Sequence, residues 1–397
     1  SSMIKLNKKG GILHKMNDSI DESTLGLQLV NLPYEEQLKV KKNIVVKLIK
    51  EHLKLNVKVN DCIGMNSPYN YRNKVHVVIG TGKDRKIIGG MYLENSHKII
   101  PIESSIIHDK KADIIINSII KILNKLKMTA YNEDTMVGLI RHIIIRRGIK
   151  TDQTMVVIVT ASDIFPGRNN FVKLLRETHP EITTIVQNTN PRNTSIILGS
   201  KERVLYGKGY ITDILCGLKF NISSKSFYQV NPIQTEILYN KAIEYADLKD
   251  QEIVVDAYCG IGTIGLIASK KAKEVIGIEV NKDAVKDAIR NAKLNNIHNV
   301  KFHCADVSQF MIELAPSKNK VDVVFLDPPR AGCDERFLKS LVKLKPDKII
   351  YISCNPVTLV RDLLLLSTNY QILFIQPVDM FPQTKHVETV VLLHTKD

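Results

Sequence analysis

The chain has 397 residues, enough for two or three domains of about 100–200 residues each. Apolar residues make up 44% and charged residues 24%, with 20 Gly and 14 Pro, which excludes long disorder, a collagen or a repeat fibre. The formal charge of +15 sits entirely in the first part: residues 1–225 carry 35 Lys and Arg against 20 Asp and Glu, whereas residues 226–397 carry 21 of each. Such asymmetry points to a polyanion partner, most simply a nucleic acid; the competing reading is a solvated surface in a Lys-rich protein.

Residues 1–22 read as a flexible tail, with Ser1 and Ser2 ahead of Met3 as an expression scar. The stretch is polar and basic and lacks the apolar core of a signal peptide. A helix is expected from about Pro33, since Leu38, Val45, Leu48 and Leu53 fall near one face. Residues 74–102 alternate as strands around the turn-rich GTGKDRK. A second helix, over about 108–127, carries Ile115, Ile116, Ile119, Leu123 and Leu126 at helical spacing. Strand-like runs recur at 139–149, 154–160, 182–188 and 194–198, so residues 23–222 read as an α+β domain.

From 223 onward the pattern changes. EIVVDA (252–257), EVIGIEV (274–280), VKFHCAD (300–306), VDVVFLD (321–327) and KIIYISC (348–354) are β-branched runs separated by helical stretches. Two further runs, QILFIQPVD and ETVVLLH, close the chain as a hairpin. This alternation predicts an α/β domain over 223–397, a doubly wound parallel sheet with ligands at the C-terminal strand ends. No run approaches the roughly 18 apolar residues of a membrane helix, so a cytoplasmic protein with no membrane partner is expected.

The first strand of this second part runs into Asp256-Ala-Tyr258-Cys-Gly260-Ile-Gly262-Thr263-Ile-Gly265 and then a helix. Glycines there let the backbone approach a ligand, and Glu279, ending the next strand, is placed to hold ribose hydroxyls. Alone, the loop serves a nicotinamide cofactor or S-adenosylmethionine equally well. Asp256, like the acidic start of a methyltransferase motif, and Asp306, placed to accept from an adenine amino group, tilt the choice to S-adenosylmethionine. The fourth strand ends in Asp327-Pro328-Pro329-Arg330; the prolines stiffen the turn, and Arg330 suits an anionic substrate. The fifth ends in Ser353-Cys354-Asn355-Pro356, where a cysteine is placed to act as a nucleophile. The six cysteines lack CxxC spacing, so neither a disulfide scaffold nor a metal cage is expected. Cys62, Cys216, Cys259 and Cys304 read as small buried hydrophobes, and Cys333 as a bystander in the loop after the diproline.

The set SFYQVN (226–231), DAYCGIGTIG, DPPRAGCD (327–334), SCNP (353–356) and DMFPQTKHVETVVLL (379–393) resembles the RNA uracil-5-methyltransferase family in order and spacing. Upstream, SPYNYRNKVH (67–76), GLIRHIIIRRG (138–148) and NTNPRNT (188–194) resemble its RNA-recognition domain. The resemblance implies a class I (Rossmann-like) methyltransferase domain, with S-adenosylmethionine held by Gln229, Tyr258, Gly260, Gly262, Thr263, Glu279, Asp306 and Asp327. It implies Cys354 as the nucleophile at uracil C6 and Glu388 as the base that removes the C5 proton. Arg330 and His386 are candidates for orienting phosphate or uracil, and Arg72, Lys74, Arg141, Arg146 and Arg147 for phosphate contacts. Phe227, Tyr228 and Phe381 are alternative stacking partners for a flipped base.

Two features of many relatives are missing from the expectation. Too few residues precede the family region for an N-terminal TRAM barrel, and Thr24 and Leu27 stand where relatives have cluster cysteines, so no iron–sulfur cluster is expected. The closing segment resembles the enzymes that make 5-methyluridine in 23S ribosomal RNA, although transfer-RNA enzymes of the family also lack barrel and cluster. A monomer acting on ribosomal RNA, or alternatively on transfer RNA, is expected. Competing readings are an RNA cytosine-5 or amino-group methyltransferase, an inactive RNA-binding protein and a nicotinamide oxidoreductase.

Overall fold

The computed structural model describes residues 26–317 and 319–397, together with the backbone of two short strands, Met3–Leu6 and Ile12–Met16. These strands pair with each other, and Ile12–Met16 also pairs with Ser104–Ser105, where the sequence predicts a tail. The rest of that expected tail lies outside the described residues. The chain forms two compact units: 1–30 with 68–214 and 221–225, and 31–67 with 215–220 and 226–397. This division differs from the expected boundary at 222/223: residues 31–67 fall with the C-terminal unit.

The first unit is built on a seven-stranded sheet in the order Lys201–Tyr206, Thr184–Thr189, Gln153–Thr160, Ile140–Gly148, Lys74–Thr81, Ile87–Tyr92, Ile99–Pro101. All neighbours are antiparallel except Gln153–Thr160 and Thr184–Thr189, which are parallel and joined through helix Arg168–Thr178. That helix and Lys110–Lys125 bury Ile115, Ile119, Leu123, Phe171 and Leu175 against Val75, Val77, Ile143, Ile145 and Ile158. The strand expected at 194–198 is absent. There the side chain of Asn190 donates to the carbonyls of Ile196 and Ile197 at 2.7 and 3.0 Å, and Asn188 to that of Gly199 at 3.0 Å. Side-chain amides thus satisfy carbonyls that a ladder would otherwise need. The edge strand forms later, at Lys201–Tyr206, whose charged sequence gave no strand signal.

The second unit has a seven-stranded sheet: β1 Ile253–Ala257, β2 Glu274–Glu279, β3 Val300–Cys304, β4 Val323–Leu326, β5 Lys348–Ser353, β6 Tyr370–Val378 and β7 Glu388–Thr395. The order is β3-β2-β1-β4-β5-β7-β6. Strands β1 to β5 run parallel, and β7 is antiparallel to both β5 and β6. Apolar side chains of β1, β4 and β5, including Val255, Val324 and Ile349, pack with Phe337, Leu341, Leu359 and Leu363 of the covering helices. The helix Tyr34–Leu53 joins this core through Val45, Ile49 and Leu53. Its buried row is Gln37, Lys41, Val45, Ile49, Leu53; of the predicted face Val45 and Leu53 lie in this row, Leu38 and Leu48 are half-buried beside it, and two polar residues continue it toward the helix N-terminus.

Candidate active site

The parallel strands all end at one edge of the sheet, and β7, running the opposite way, begins there. Five strand ends therefore bring their residues together. After β1, Tyr258 has φ 61° and Gly260 and Gly262 have φ 55° and 86°, a run of left-handed backbone that only glycine adopts without strain. A Cβ at Gly262 would lie 2.7 Å from the Phe302 ring, so that glycine is needed for packing as well. One at Gly260 would meet nothing within 4 Å, which leaves open space on that side of the loop. Thr263 then begins the helix Thr263–Ala268.

Glu279, at the end of β2, accepts from the Gly260 N–H at 3.1 Å and from the Asn281 N–H at 2.8 Å. Asp256 Oδ2 accepts from the Gly265 N–H at 2.9 Å. Burial, with Asp327 and Glu279 nearby, raises the Asp256 carboxyl well above its ordinary range. Asp306 lies two residues beyond β3; it is exposed and its Oδ1 caps the helix Val307–Leu314 by accepting from the Gln309 N–H at 2.8 Å. The open loop, the carboxylates beside it and their ready acceptors fit a ligand with hydroxyl and amino groups, such as an adenosine.

Cys354 and Glu388 occupy neighbouring strand ends. Ser353 of β5 is paired with Thr389 of β7, so the next step of the register sets Cys354 opposite Glu388. Glu388 is 5% exposed, and burial with Asp327 beside it raises its carboxyl well above the usual range. Burial pushes the Asp327 carboxyl up to about 7. The Cys354 thiol is pushed up to about 11, first by burial and then by Glu388 and Asp327. The Arg330 guanidinium opposes this at both Cys354 and Glu388. Its backbone is fixed beside the nucleophile: the Arg330 carbonyl accepts from Asn355 Nδ2 and Thr358 Oγ1, both at 3.0 Å. His386, half-buried, makes an edge contact with the Phe381 ring at 6.0 Å, and burial with Arg330, Lys385 and Lys41 nearby depresses its imidazole.

No sequence motif marks Tyr239. Its buried phenol, on the helix Pro232–Ala246, is hydrogen-bonded to Gln229, and burial with Asp327, Glu388 and Asp256 around it raises it well above 10. It is a neutral phenol among carboxylates, and only the structure brings its helix to the strand ends. Tyr228 is buried against Phe220, whereas Phe227 is 72% exposed. Cys333 is buried with its N–H donating to Asp362, so it is part of the packing; Cys304, by contrast, is exposed and not the buried hydrophobe expected.

In the first unit, the candidate phosphate contacts divide. Arg141 is 2% exposed; it donates to the Asn190 and Arg192 carbonyls at 2.7 and 2.6 Å and to the Glu133 carboxylate at 2.8 and 3.1 Å. Arg147 is buried on Asp109, Asp152 and Thr154. Both are committed to internal acceptors, where free phosphate contacts are expected from the sequence. Arg146, 3% exposed, likewise donates to internal carbonyls, those of Ser223 and Ser224 at 2.9 and 3.4 Å, whereas Arg72 and Lys74 differ. Lys74 lies opposite Arg146 in the strand register, and Arg72 Nε donates to the Lys74 carbonyl at 3.0 Å. Burial and these two guanidinium groups pull Lys74 down to about 8.

A sequence profile of the family described as tRNA (Uracil-5-)-methyltransferase matches residues 186–396. An uncharacterized RNA methyltransferase of Staphylococcus aureus is 44% identical over 373 residues, covering 94% of this chain and 82% of that one. One of Halalkalibacterium halodurans is 41% identical over 374 residues, covering 94% and 81%. The chain belongs to the tRNA (uracil-5-)-methyltransferase family. The crystal structure of Pyrococcus abyssi tRNA (uracil-54, C5)-methyltransferase in complex with S-adenosyl-L-homocysteine superposes with a TM-score of 0.77 at 30% identity, covering 93% of this chain and 86% of that one. RNA uracil-5-methyltransferase activity and a class I methyltransferase fold follow. Among the described residues of this methyltransferase, no cluster of three His, Cys, Asp or Glu is set to hold a metal, and no helix is long and apolar enough to cross a membrane.

Proposed function

We propose that this enzyme methylates C5 of a uridine in a folded RNA through a covalent adduct between Cys354 and uracil C6. The observation that carries the reading is the placing of Cys354 opposite Glu388 at adjoining strand ends, with Arg330 acting on both. Gln229, Tyr258, Gly260, Gly262, Thr263, Glu279, Asp306 and Asp327 are the residues proposed to hold S-adenosylmethionine. When bound, that cofactor would supply an electrophilic methyl group at a sulfonium, the sulfur–methyl bond breaking to leave S-adenosyl-L-homocysteine.

Uracil C5 is a weak carbon nucleophile until C6 carries a thiolate. Cys354 gives up its proton to water, and its sulfur bonds to C6, so that the C5–C6 π electrons become an enolate able to take the methyl group at C5. Glu388, as carboxylate, then removes the remaining C5 proton; the C5–C6 double bond reforms and the thiolate leaves. A buried carboxylate with a raised pKa is a strong base once ionised, and Arg330 is the cation that favours ionisation at both groups. A target base inside a folded RNA must first be unstacked, and the exposed ring of Phe227, two residues before Gln229, is proposed to stack on it. Arg72 and Lys74 are proposed to meet phosphates of the same RNA, and Arg330 and His386 those nearer the base.

The closing segment DMFPQTKHVETVVLL supports ribosomal RNA as the substrate. A second reading, transfer RNA, is favoured by the family description and by the activity named for the Pyrococcus abyssi enzyme. Labelled methyl transfer to unmodified ribosomal and transfer RNA, followed by nucleoside mass analysis, separates them. 5-Methyluridine in one class names the substrate; 5-methylcytidine overturns the base assignment. Glu388→Gln is expected to slow turnover by about 10²–10⁴-fold and to leave a protein–RNA adduct on a denaturing gel. Normal turnover in that variant calls for another base.

A further inference from the structure

The loop 379–387 joins β6 to β7, and the register closes it with Val378 facing Glu388. Asp379 is therefore the first residue beyond the pair that holds the proposed base. Its carboxylate is buried and bonded on both oxygens from the helix Tyr34–Leu53: Lys41 Nζ donates to Oδ1, and Tyr34 Oη donates to Oδ2 at 2.7 Å. Lys41 also donates to the Phe381 carbonyl at 3.0 Å. One turn earlier on the helix, Gln37 exchanges two hydrogen bonds with Gln383: its amide donates to Gln383 Oε1 at 2.9 Å, and its Oε1 accepts from the Gln383 N–H at 3.0 Å. The helix Pro232–Ala246 completes the frame, with Asn231 donating to the Met380 carbonyl at 3.0 Å and Gln234 to that of Asp379 at 3.1 Å.

Lys41 and Asp379 have no exposed side-chain surface, and Gln37, Asn231 and Gln234 are at most 1% exposed. A helix that needed only to pack would place apolar residues at 37 and 41, as it does at 45, 49 and 53. Burying an ammonium and a carboxylate instead is costly for stability and gains directional control of what they bond to. Both acceptors of Lys41 lie on 379–383, the segment that leads through Phe381 and His386 into Glu388.

We infer that Lys41, with Tyr34 and Gln37, is a positioning residue of the active site: the helix Tyr34–Leu53 fixes the loop 379–387 and, through it, the carboxylate of Glu388. The inference rests on the reading of Glu388 as the base that resolves the Cys354 adduct. It assigns a catalytic consequence to a helix that the sequence places with the RNA-recognition part.

The test compares adduct formation with adduct resolution in the full-length enzyme, using unmodified RNA and S-adenosylmethionine. Lys41→Met combined with Asp379→Asn removes both buried charges together, so neither is left unpaired. This double variant is expected to bind S-adenosylmethionine as the parent does, to turn over about 10–100-fold more slowly, and to accumulate the protein–RNA adduct. A purely structural role would lower the active fraction and reduce formation and resolution alike, with no rise in adduct per turnover. Tyr34→Phe leaves the ion pair in place and guards against misfolding of the double variant; it is expected to raise the adduct several-fold. If neither variant raises the ratio of adduct to product while Glu388→Gln does, the positioning role is overturned and the base assignment stands. If Glu388→Gln itself traps no adduct, the base assignment falls, and this inference with it.

Discussion

Two clusters, one in each unit, bury charge in opposite ways. In the first, Arg141 and Arg147 are buried among their own acceptors: Glu133 and two carbonyls for the one, Asp109 and Asp152 for the other. In the second, Asp256, Asp327 and Glu388 are gathered near one another, each raised by burial and two of them further by their neighbours, with Arg330 as the opposing cation at Glu388. A buried charge with its counter-charge beside it is part of the scaffold. A buried group held against its preferred ionisation costs stability, and that pattern concentrates where chemistry is done. Motif resemblance treated the arginines of RHIIIRRG alike; the partners around each side chain separate them.

The largest expected effect tests the second unit. Cys354→Ala removes the sulfur that activates uracil C6, and methyl transfer is expected to fall by roughly 10⁴-fold or more with cofactor affinity nearly unchanged. Turnover within tenfold of the parent enzyme, measured with labelled S-adenosylmethionine, would remove Cys354 as the nucleophile. The next effect tests the first unit. Arg141→Ala leaves Glu133 and two loop carbonyls without their donor, and breaking such a buried pair is expected to destabilise the fold by about 3–5 kcal/mol. A thermal melt reads this directly. An unshifted melt with weakened RNA binding would return Arg141 to the list of phosphate contacts.

Arg330 sharpens the electrostatic side of the comparison. Its charge lowers both Cys354 and Glu388, so Arg330→Gln is expected to push both further up. The thiolate fraction rises with pH below a thiol pKa of about 11, so activity should climb across the neutral to alkaline range in the parent enzyme. In the variant the same climb is expected about one pH unit higher, with activity near neutral pH down about tenfold. A pH–rate profile of the same shape and position would show that Arg330 serves the RNA and not the nucleophile.

What could be read in the sequence follows from how local each requirement is. The glycine loop announces itself because φ values at Gly260 and Gly262 are demands on single residues. Strands β1, β4 and β5 are nearly continuous apolar runs for a similar reason, being buried along almost their whole length. The polar end of the buried row on the helix Tyr34–Leu53 was not legible, because an apolar search cannot anticipate that Gln37 and Lys41 find partners more than 300 residues away. The same blindness hid Tyr239, whose significance is its distance from three carboxylates. It also made buried arginines resemble phosphate contacts, since burial at 141 and 147 is decided by loops that the periodicity of one strand does not contain.

Lys74 carries the comparison back into the first unit. Unlike Arg141 and Arg147, it is pulled down to about 8 by burial and by two guanidinium groups. The folded state therefore holds this proton less well than the unfolded chain, whose lysines titrate near 10.5. The resulting penalty is fully present below pH 8 and is relieved as pH rises from about 8 toward that unfolded value. Lys74→Met removes the penalty, so near neutral pH its melting temperature should rise, the reverse of Arg141→Ala. A bound phosphate would favour the protonated lysine. RNA affinity in the parent enzyme should therefore decline as pH passes 8, and the variant should lose that decline along with about one unit of the salt slope. A variant that melts lower and binds RNA with unchanged salt dependence would place Lys74 among the structural cations, and the charge excess of the first unit would then need another explanation.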